Sequence, residues 1–170
     1  LPYKVWVLLG DSEMAEGSVW EAMSCASHYK LDNMVAILDM NRLGQRGETA
    51  FGWNSALYSE RARAFGYHVI EINGHDLGQI DKALTEAIGI TGKPTLIIAK
   101  TEKGHGIPLT ANQDNWHGKP LSKEQAEEAV KLLGGVTSHS VVVQKPADLP
   151  SKKSPTAEIS CTGKFVAPVY

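Results

Sequence analysis

The sequence predicts an α/β fold, three layers (α/β/α) built around a mainly parallel sheet. Two observations carry this. Short runs rich in Val, Ile and Leu alternate with longer stretches of helical periodicity. The apolar runs lack in–out alternation, as expected for strands covered on both faces. Strand–helix–strand units close by right-handed crossovers, which makes neighbouring strands parallel. At 170 residues the chain is long enough for one domain with a proper core.

The first predicted strand, Val5–Leu9, runs straight into Gly10 and Asp11. Val19, Met23 and Ala26 then recur at helical spacing, with Ala22 and Cys25 widening the apolar face. Ser18-x-x-Glu21 has the form of a capping box, and Glu16 complements the positive end of the same helix. Val35–Asp39 is the second strand. Asn54 can cap a helix carrying Leu57, Ala62 and Phe65, stopped by Gly66. His68–Ile72 is the third strand. Asp76 caps the next helix, whose Leu77, Ile80, Leu84 and Ile88 are expected to face inward, and Thr95–Lys100 is the fourth strand. Ser122 and Gln125 form a second capping-box pattern before Ala126, Ala129, Val130 and Leu133, and Gly134-Gly135 ends that helix. From Val136 onward Lys145-Pro146, Leu149-Pro150, Ser154-Pro155 and Ala167-Pro168 break any period. Residues 136–170 therefore read as an interdomain linker, with Ser140–Val143 able to form a short strand.

Composition excludes several classes. A formal charge of −2 leaves no basic footprint, so nucleic acid is not an expected partner. No apolar run approaches the roughly 20 residues that span a bilayer, so a membrane is not expected either. Cys25 and Cys161 form no CxxC pair, which argues against a disulfide framework or a zinc site and for a reducing, cytoplasmic setting. Gly92-Lys93-Pro94 lacks the spacing of a P-loop, and no GxGxxG follows a strand. Glu124, Glu127 and Glu128 read as a solvated helix face. The chain has no initiator Met and begins immediately before a core strand, so it reads as a fragment, incomplete on its N-terminal side.

The chemistry is expected at the strand ends, because open α/β sheets hold ligands at their carboxyl rim. Asp11 closes the first strand and Asn41, in ILDMNRLGQ, lies just past the second, so the two should be neighbours on that rim. A carboxylate, an amide oxygen and a main-chain carbonyl suit a hard divalent cation. Magnesium takes about six oxygens and usually leaves several positions to phosphate or water. The short residues Gly10 and Ser12 let backbone N–H groups approach such an anion. Read singly, Asp11 is equally a turn or cap residue and Asn41 a turn former before Gly44. His117 lies in a polar loop beside Gly118, where functional groups concentrate. His75 and His105 read as structural, and His28, His68 and His139 as ordinary surface or strand positions.

The blocks GDSEMAEGSVWEAMSCASHYKLDNMVAILDMNRLGQ, GHD, IIAKTEKGHG and WHGKPL, in this order and spacing, resemble the diphosphate-binding part of transketolase from about Tyr3 to Leu121. The resemblance implies a thiamine diphosphate fold, with residues 1–135 as the C-terminal part of the diphosphate-binding domain. It implies thiamine diphosphate and Mg²⁺ as cofactors, Ca²⁺ or Mn²⁺ being able to replace the latter. Asp11, Asn41 and the Leu43 carbonyl match the metal ligands. Ser12 stands where the family has a second glycine whose N–H meets the diphosphate. Lys103 matches a lysine near that group, and His117 a histidine touching cofactor and sugar. Glu16 and Glu21 match glutamates linking two active sites across a homodimer. The implied reaction moves a two-carbon ketol unit from a ketose phosphate to an aldose phosphate, as in the pentose phosphate pathway. The glutamate that activates the aminopyrimidine lies in a following domain and several channel histidines lie before Leu1. Activity is therefore expected only with the remaining transketolase domains or a partner subunit. Another thiamine enzyme, such as a deoxyxylulose-phosphate synthase or a dehydrogenase subunit, is disfavoured by EGSVWEA and WHGKPL. A non-enzymatic or regulatory remnant of the fold is the remaining alternative.

Overall fold

A computed structural model describes residues 3–136, 138 and 140–143. The chain divides after Val136, and the unit Leu1–Val136 holds the elements that follow. They are β1 (Val5–Gly10), α1 (Gly17–His28), β2 (Met34–Met40), the two-residue strands β3 (Leu43–Gly44) and β4 (Gly47–Glu48), α2 (Ser55–Ala64), β5 (His68–Asn73), α3 (Leu77–Gly89), β6 (Thr95–Lys100) and α4 (Lys123–Leu132). Four strands form one parallel sheet in the order β1-β2-β6-β5, and β3 and β4 form a small antiparallel hairpin.

The apolar runs become strands because both faces of the inner pair are covered. On one side α1 and α2 bring Met23, Ala26, Tyr58 and Ala62 against Ala36, Leu38, Met40, Leu96 and Ile98. On the other, Ala83 and Ala87 of α3 pack on Val35 and Ile97. These are the three expected layers. β1 departs from the expected burial. Its Trp6 and Leu8 share a face with Val35 and Ile37, but α3 packs towards β5 and β6, so both stay exposed.

Several helix faces are narrower than or shifted from the expected ones. In α1 Met23 and Ala26 are buried as read, but Ala22 and Cys25, expected to widen the face, are exposed. It starts at Gly17 with Glu16 at the N-cap, so Ser18 and Glu21 make no capping box. Asn54 is the N-cap of α2, yet its side chain makes no capping bond. Leu57 is exposed, and Tyr58 takes the inward position, its ring edge-on to Phe51 at 5.3 Å. In α3 the Asp76 cap forms as read, accepting from Gln79 N–H at 3.0 Å, but Leu77 and Ile88 point to solvent. The inward residues there are half-buried Ile80 and Leu84 with buried Ala83 and Ala87, whose small size lets the helix sit close to the sheet. The α4 capping box forms, with Ser122 Oγ accepting from Gln125 N–H at 3.2 Å and Ser122 N–H donating to Gln125 Oε1 at 2.9 Å. Ala129 is buried, whereas Val130 and Leu133 are exposed. Ser140–Val143 forms no strand. His139, Cys161 and most of the linker reading lie outside the described residues.

Tyr67 closes the core beneath α2, and its hydroxyl is the only buried side-chain polar atom without a partner among the described residues. Burial pushes its phenol up to about 12. An unpaired buried hydroxyl costs about 1–3 kcal/mol. Tyr67→Phe is therefore expected to raise stability by about 1 kcal/mol or more in denaturant unfolding, where Leu96→Ala should lower it by about 2–5 kcal/mol.

Candidate functional site

Parallel pairing sets Gly10 opposite Asp39, and Asp11 N–H extends the ladder to the Asp39 carbonyl at 3.2 Å. Asp11 and Asn41 therefore leave the sheet on the same rim. Asp11 is 3% exposed. Its Oδ2 accepts Arg42 N–H at 2.6 Å and the Thr49 hydroxyl at 3.1 Å, and Oδ1 carries neither bond. Burial pushes the Asp11 carboxyl above the usual range. The nearby Asp39 charge adds to this, and the bonds from Arg42 and Thr49 pull the other way.

Asn41 is oriented by its neighbours. Its Nδ2 donates to Asp39 Oδ2 at 3.2 Å, while its Oδ1 accepts Leu43 N–H at 3.1 Å. The Thr101 hydroxyl holds the other Asp39 oxygen. The turn role and a ligand role coexist, since an amide oxygen has two lone pairs and the turn uses one. Arg42 has φ +65°, the left-handed region, and this conformation aims its N–H at Asp11. Its side chain crosses to the 101–118 loop, donating from Nε to Asn112 Oδ1 at 2.9 Å, with the guanidinium 4.9 Å from the Trp53 ring centre.

That loop carries the remaining groups. Lys103 Nζ donates to the Leu43 carbonyl at 3.1 Å and lies 3.0 Å from His117 Nδ1. The loop is closed by Asn112 N–H on the Lys103 carbonyl at 2.8 Å and by Trp53 Nε1–H on the Thr101 carbonyl at 3.0 Å. Gly104 has φ +72°, and a Cβ there would sit 2.6 Å from Thr110 Oγ1, so only glycine fits.

Asp11, Ser12, Glu16, Asn41, Leu43, Lys103 and His117 all line one cavity of about 580 Å³. Glu21 does not line it; it is exposed on α1. Ser12 has φ −64° and ψ −37°, an ordinary conformation for a residue with a side chain, so replacing glycine strains nothing. Gly44 packs against it so tightly that a Cβ would come within 2.9 Å of Ser12 Oγ. Among the described residues no group of three or more His, Cys, Asp or Glu could hold a metal. The donor set at the rim is carboxylate, amide and carbonyl oxygen, which fits a hard cation and not a soft one. The Leu43 carbonyl already draws a cationic group, the Lys103 ammonium. His75 is structural, accepting Glu102 N–H at 2.8 Å and stacking on His105 with ring centres 3.8 Å apart.

Sequence reasoning missed Asp39, Arg42, Thr49 and Asn112. Asp39 had a visible signal, a charge at the end of an apolar strand. Thr49 and Asn112 had none, because their partners are distant in sequence.

Residues 2–156 match the family described as "Transketolase, thiamine diphosphate binding domain". The chain belongs to the transketolase family. Among similar proteins, transketolase-like protein 2 of Mus musculus is 44% identical over 99% of this chain and 26% of its own length. Transketolase of Homo sapiens is 43% identical over 93% of this chain and 25% of its own. A transketolase structure from Campylobacter jejuni superposes with a TM-score of 0.72 at 36% identity, covering 79% of this chain and 21% of that one. The chain thus spans about a quarter of the length of these curated relatives.

Within this domain the Arg42–Asn112 bond ties the hairpin to the loop bearing Lys103 and His117. Arg42→Ala is expected to raise amide exchange across residues 103–118 by about tenfold, leaving β2 and β6 protected. Hydrogen exchange read by mass spectrometry checks this.

Proposed function

We propose that this chain supplies the metal- and diphosphate-holding half of a transketolase active site, completed by the remaining domains or a partner subunit. The observation that supports this best is the convergence of Asp11 with Asn41, Leu43, Lys103 and His117 on one cavity. On this reading Asp11, Asn41 and the Leu43 carbonyl hold Mg²⁺, and the backbone around Gly10 and Ser12 meets the diphosphate. When bound, thiamine diphosphate supplies the nucleophilic carbon and the electron sink for breaking and making a carbon–carbon bond. The chain's own residues bind and orient.

Lys103 contributes a positive charge beside the metal. Because an ammonium has only donors, its contact with His117 Nδ1 makes that nitrogen the acceptor and puts the imidazole proton on Nε2. His117 is then a hydrogen-bond donor towards a sugar oxygen, stabilising charge as it develops there. Glu16 and Glu21 belong to the proposed link between two sites in a homodimer. The ketose and aldose phosphates of the pentose phosphate pathway are the proposed substrates, in the cytoplasm.

Two measurements on the complete protein test this. Asp11→Ala is expected to weaken thiamine diphosphate binding at fixed Mg²⁺ by more than about tenfold. Asp76→Ala, which removes only the α3 cap, should leave that affinity unchanged; equal losses would overturn the site. Ketol transfer from xylulose 5-phosphate is the second readout. Its absence in complete, cofactor-loaded protein would leave only the non-enzymatic alternative.

A further inference from the structure

Asp11 Oδ2 is gripped by two donors that face each other across the base of the β3–β4 hairpin. Arg42 N–H donates to it, the Thr49 hydroxyl donates to it, and Thr49 N–H donates to the Arg42 carbonyl at 2.8 Å. The strand pairs Leu43–Glu48 and Gly44–Gly47 continue the same ladder outward. One hairpin therefore does two things. Its first strand presents the Leu43 carbonyl to the cavity, and its base clamps the carboxylate that faces that carbonyl.

We propose that Thr49 is a positioning residue for divalent-cation binding, its hydroxyl fixing the Asp11 carboxylate so that Oδ1 is left for the ion. The proposal rests on the reading of Asp11 as a cation ligand. A single donor on Oδ2 would leave the carboxylate plane able to rotate, whereas two donors from opposite sides of a hairpin define it. Thr49 is itself held. Its backbone is fixed by Arg42, whose carbonyl accepts the Thr49 N–H. Its hydroxyl proton is directed at Asp11 Oδ2. Partners of this kind, which touch a ligand and not the metal, typically carry about 10–100-fold in metal affinity.

The test is a Mg²⁺ titration of the metal-stripped complete protein at fixed thiamine diphosphate, read by cofactor binding and not by turnover. Thr49→Val keeps the shape and removes the hydroxyl, and should raise the Mg²⁺ needed for half-saturation by about 10–100-fold. Thr49→Ala, which leaves space in place of a methyl group, should give the same shift, guarding against a folding defect peculiar to one variant. Thr49→Ser restores the hydroxyl and should recover most of the affinity, a rescue that a merely structural side chain would not give. Thr85→Val, on the exposed face of α3, should change nothing. Unchanged Mg²⁺ dependence in Thr49→Val overturns the proposal, as does an equal loss in Thr49→Ser. Asp11→Asn separates the two readings. If it weakens Mg²⁺ binding while Thr49→Val does not, only the role of Thr49 fails. If Asp11→Asn has no effect, Asp11 is not a ligand and the underlying site reading fails with it.

Discussion

A carboxylate taken almost wholly out of water at the carboxyl rim of a parallel strand pair is the constraint on which the remaining geometry depends. Desolvation disfavours the charged form of Asp11 more than its two hydrogen bonds restore, so its folded carboxyl titrates above its ordinary value of 3.8. The linkage has a definite sign. A raised carboxyl contributes stability that is fully present below 3.8 and is lost as pH rises through the folded value. Once ionised, the group therefore costs the fold something. An arrangement selected for stability alone would place an apolar or neutral residue there. The oxygen donors around it suit a hard cation, the counterpart that the proposed function gives this charge.

The architecture was legible in the sequence because burial on both sheet faces leaves an unmistakable pattern. Thr95–Lys100 is apolar for nearly its whole length because β6 is covered above and below. The rim was legible for the same reason: Asp11 and Asn41 follow directly on two such runs, and parallel pairing leaves their ends nowhere else to go. Helix faces were less legible. Periodicity assigned Leu57 and Leu77 inward, but it weighs each apolar residue alone and cannot see fit. Tyr58 wins over Leu57 because Phe51 offers its ring a partner, and alanines win in α3 because the sheet is close. The bare face of Trp6 and Leu8 was hidden likewise, since the reach of α3 depends on packing and not on the composition of β1.

At the site, sequence revealed the groups that would touch a ligand and concealed those that hold them in place. The blocks resembling transketolase contain Asp11, Asn41, Leu43, Lys103 and His117. Thr49 reaches Asp11 only because the hairpin folds back, and Asn112 reaches Arg42 only because a glycine-bearing loop returns across the rim. Such contacts are products of the fold, and local spacing carries no trace of them. Arg42 shows this most sharply. Its positive φ, its amide on Asp11 and its guanidinium on Asn112 make it a junction of rim, hairpin and loop, yet by sequence it is one basic residue in a turn.

The charges around the cavity also bear on how an anionic ligand could be held. Asp11, Glu13 and Glu16 line it together with a single lysine, Lys103, and with His117. Glu13 is partly satisfied, its carboxylate accepting Gly10 N–H at 2.6 Å, but its charge remains. A diphosphate approaching this lining meets more negative than positive charge. Like charges about 4 Å apart repel by about 4 kcal/mol at the effective dielectric of such a partly exposed site. One ammonium offsets one carboxylate and leaves the others. On the proposed reading a divalent ion held by Asp11 would reverse that balance locally. On the proposed reading the cation is therefore more than an anchor. It would offset the negative lining against which the cofactor's anionic end must settle.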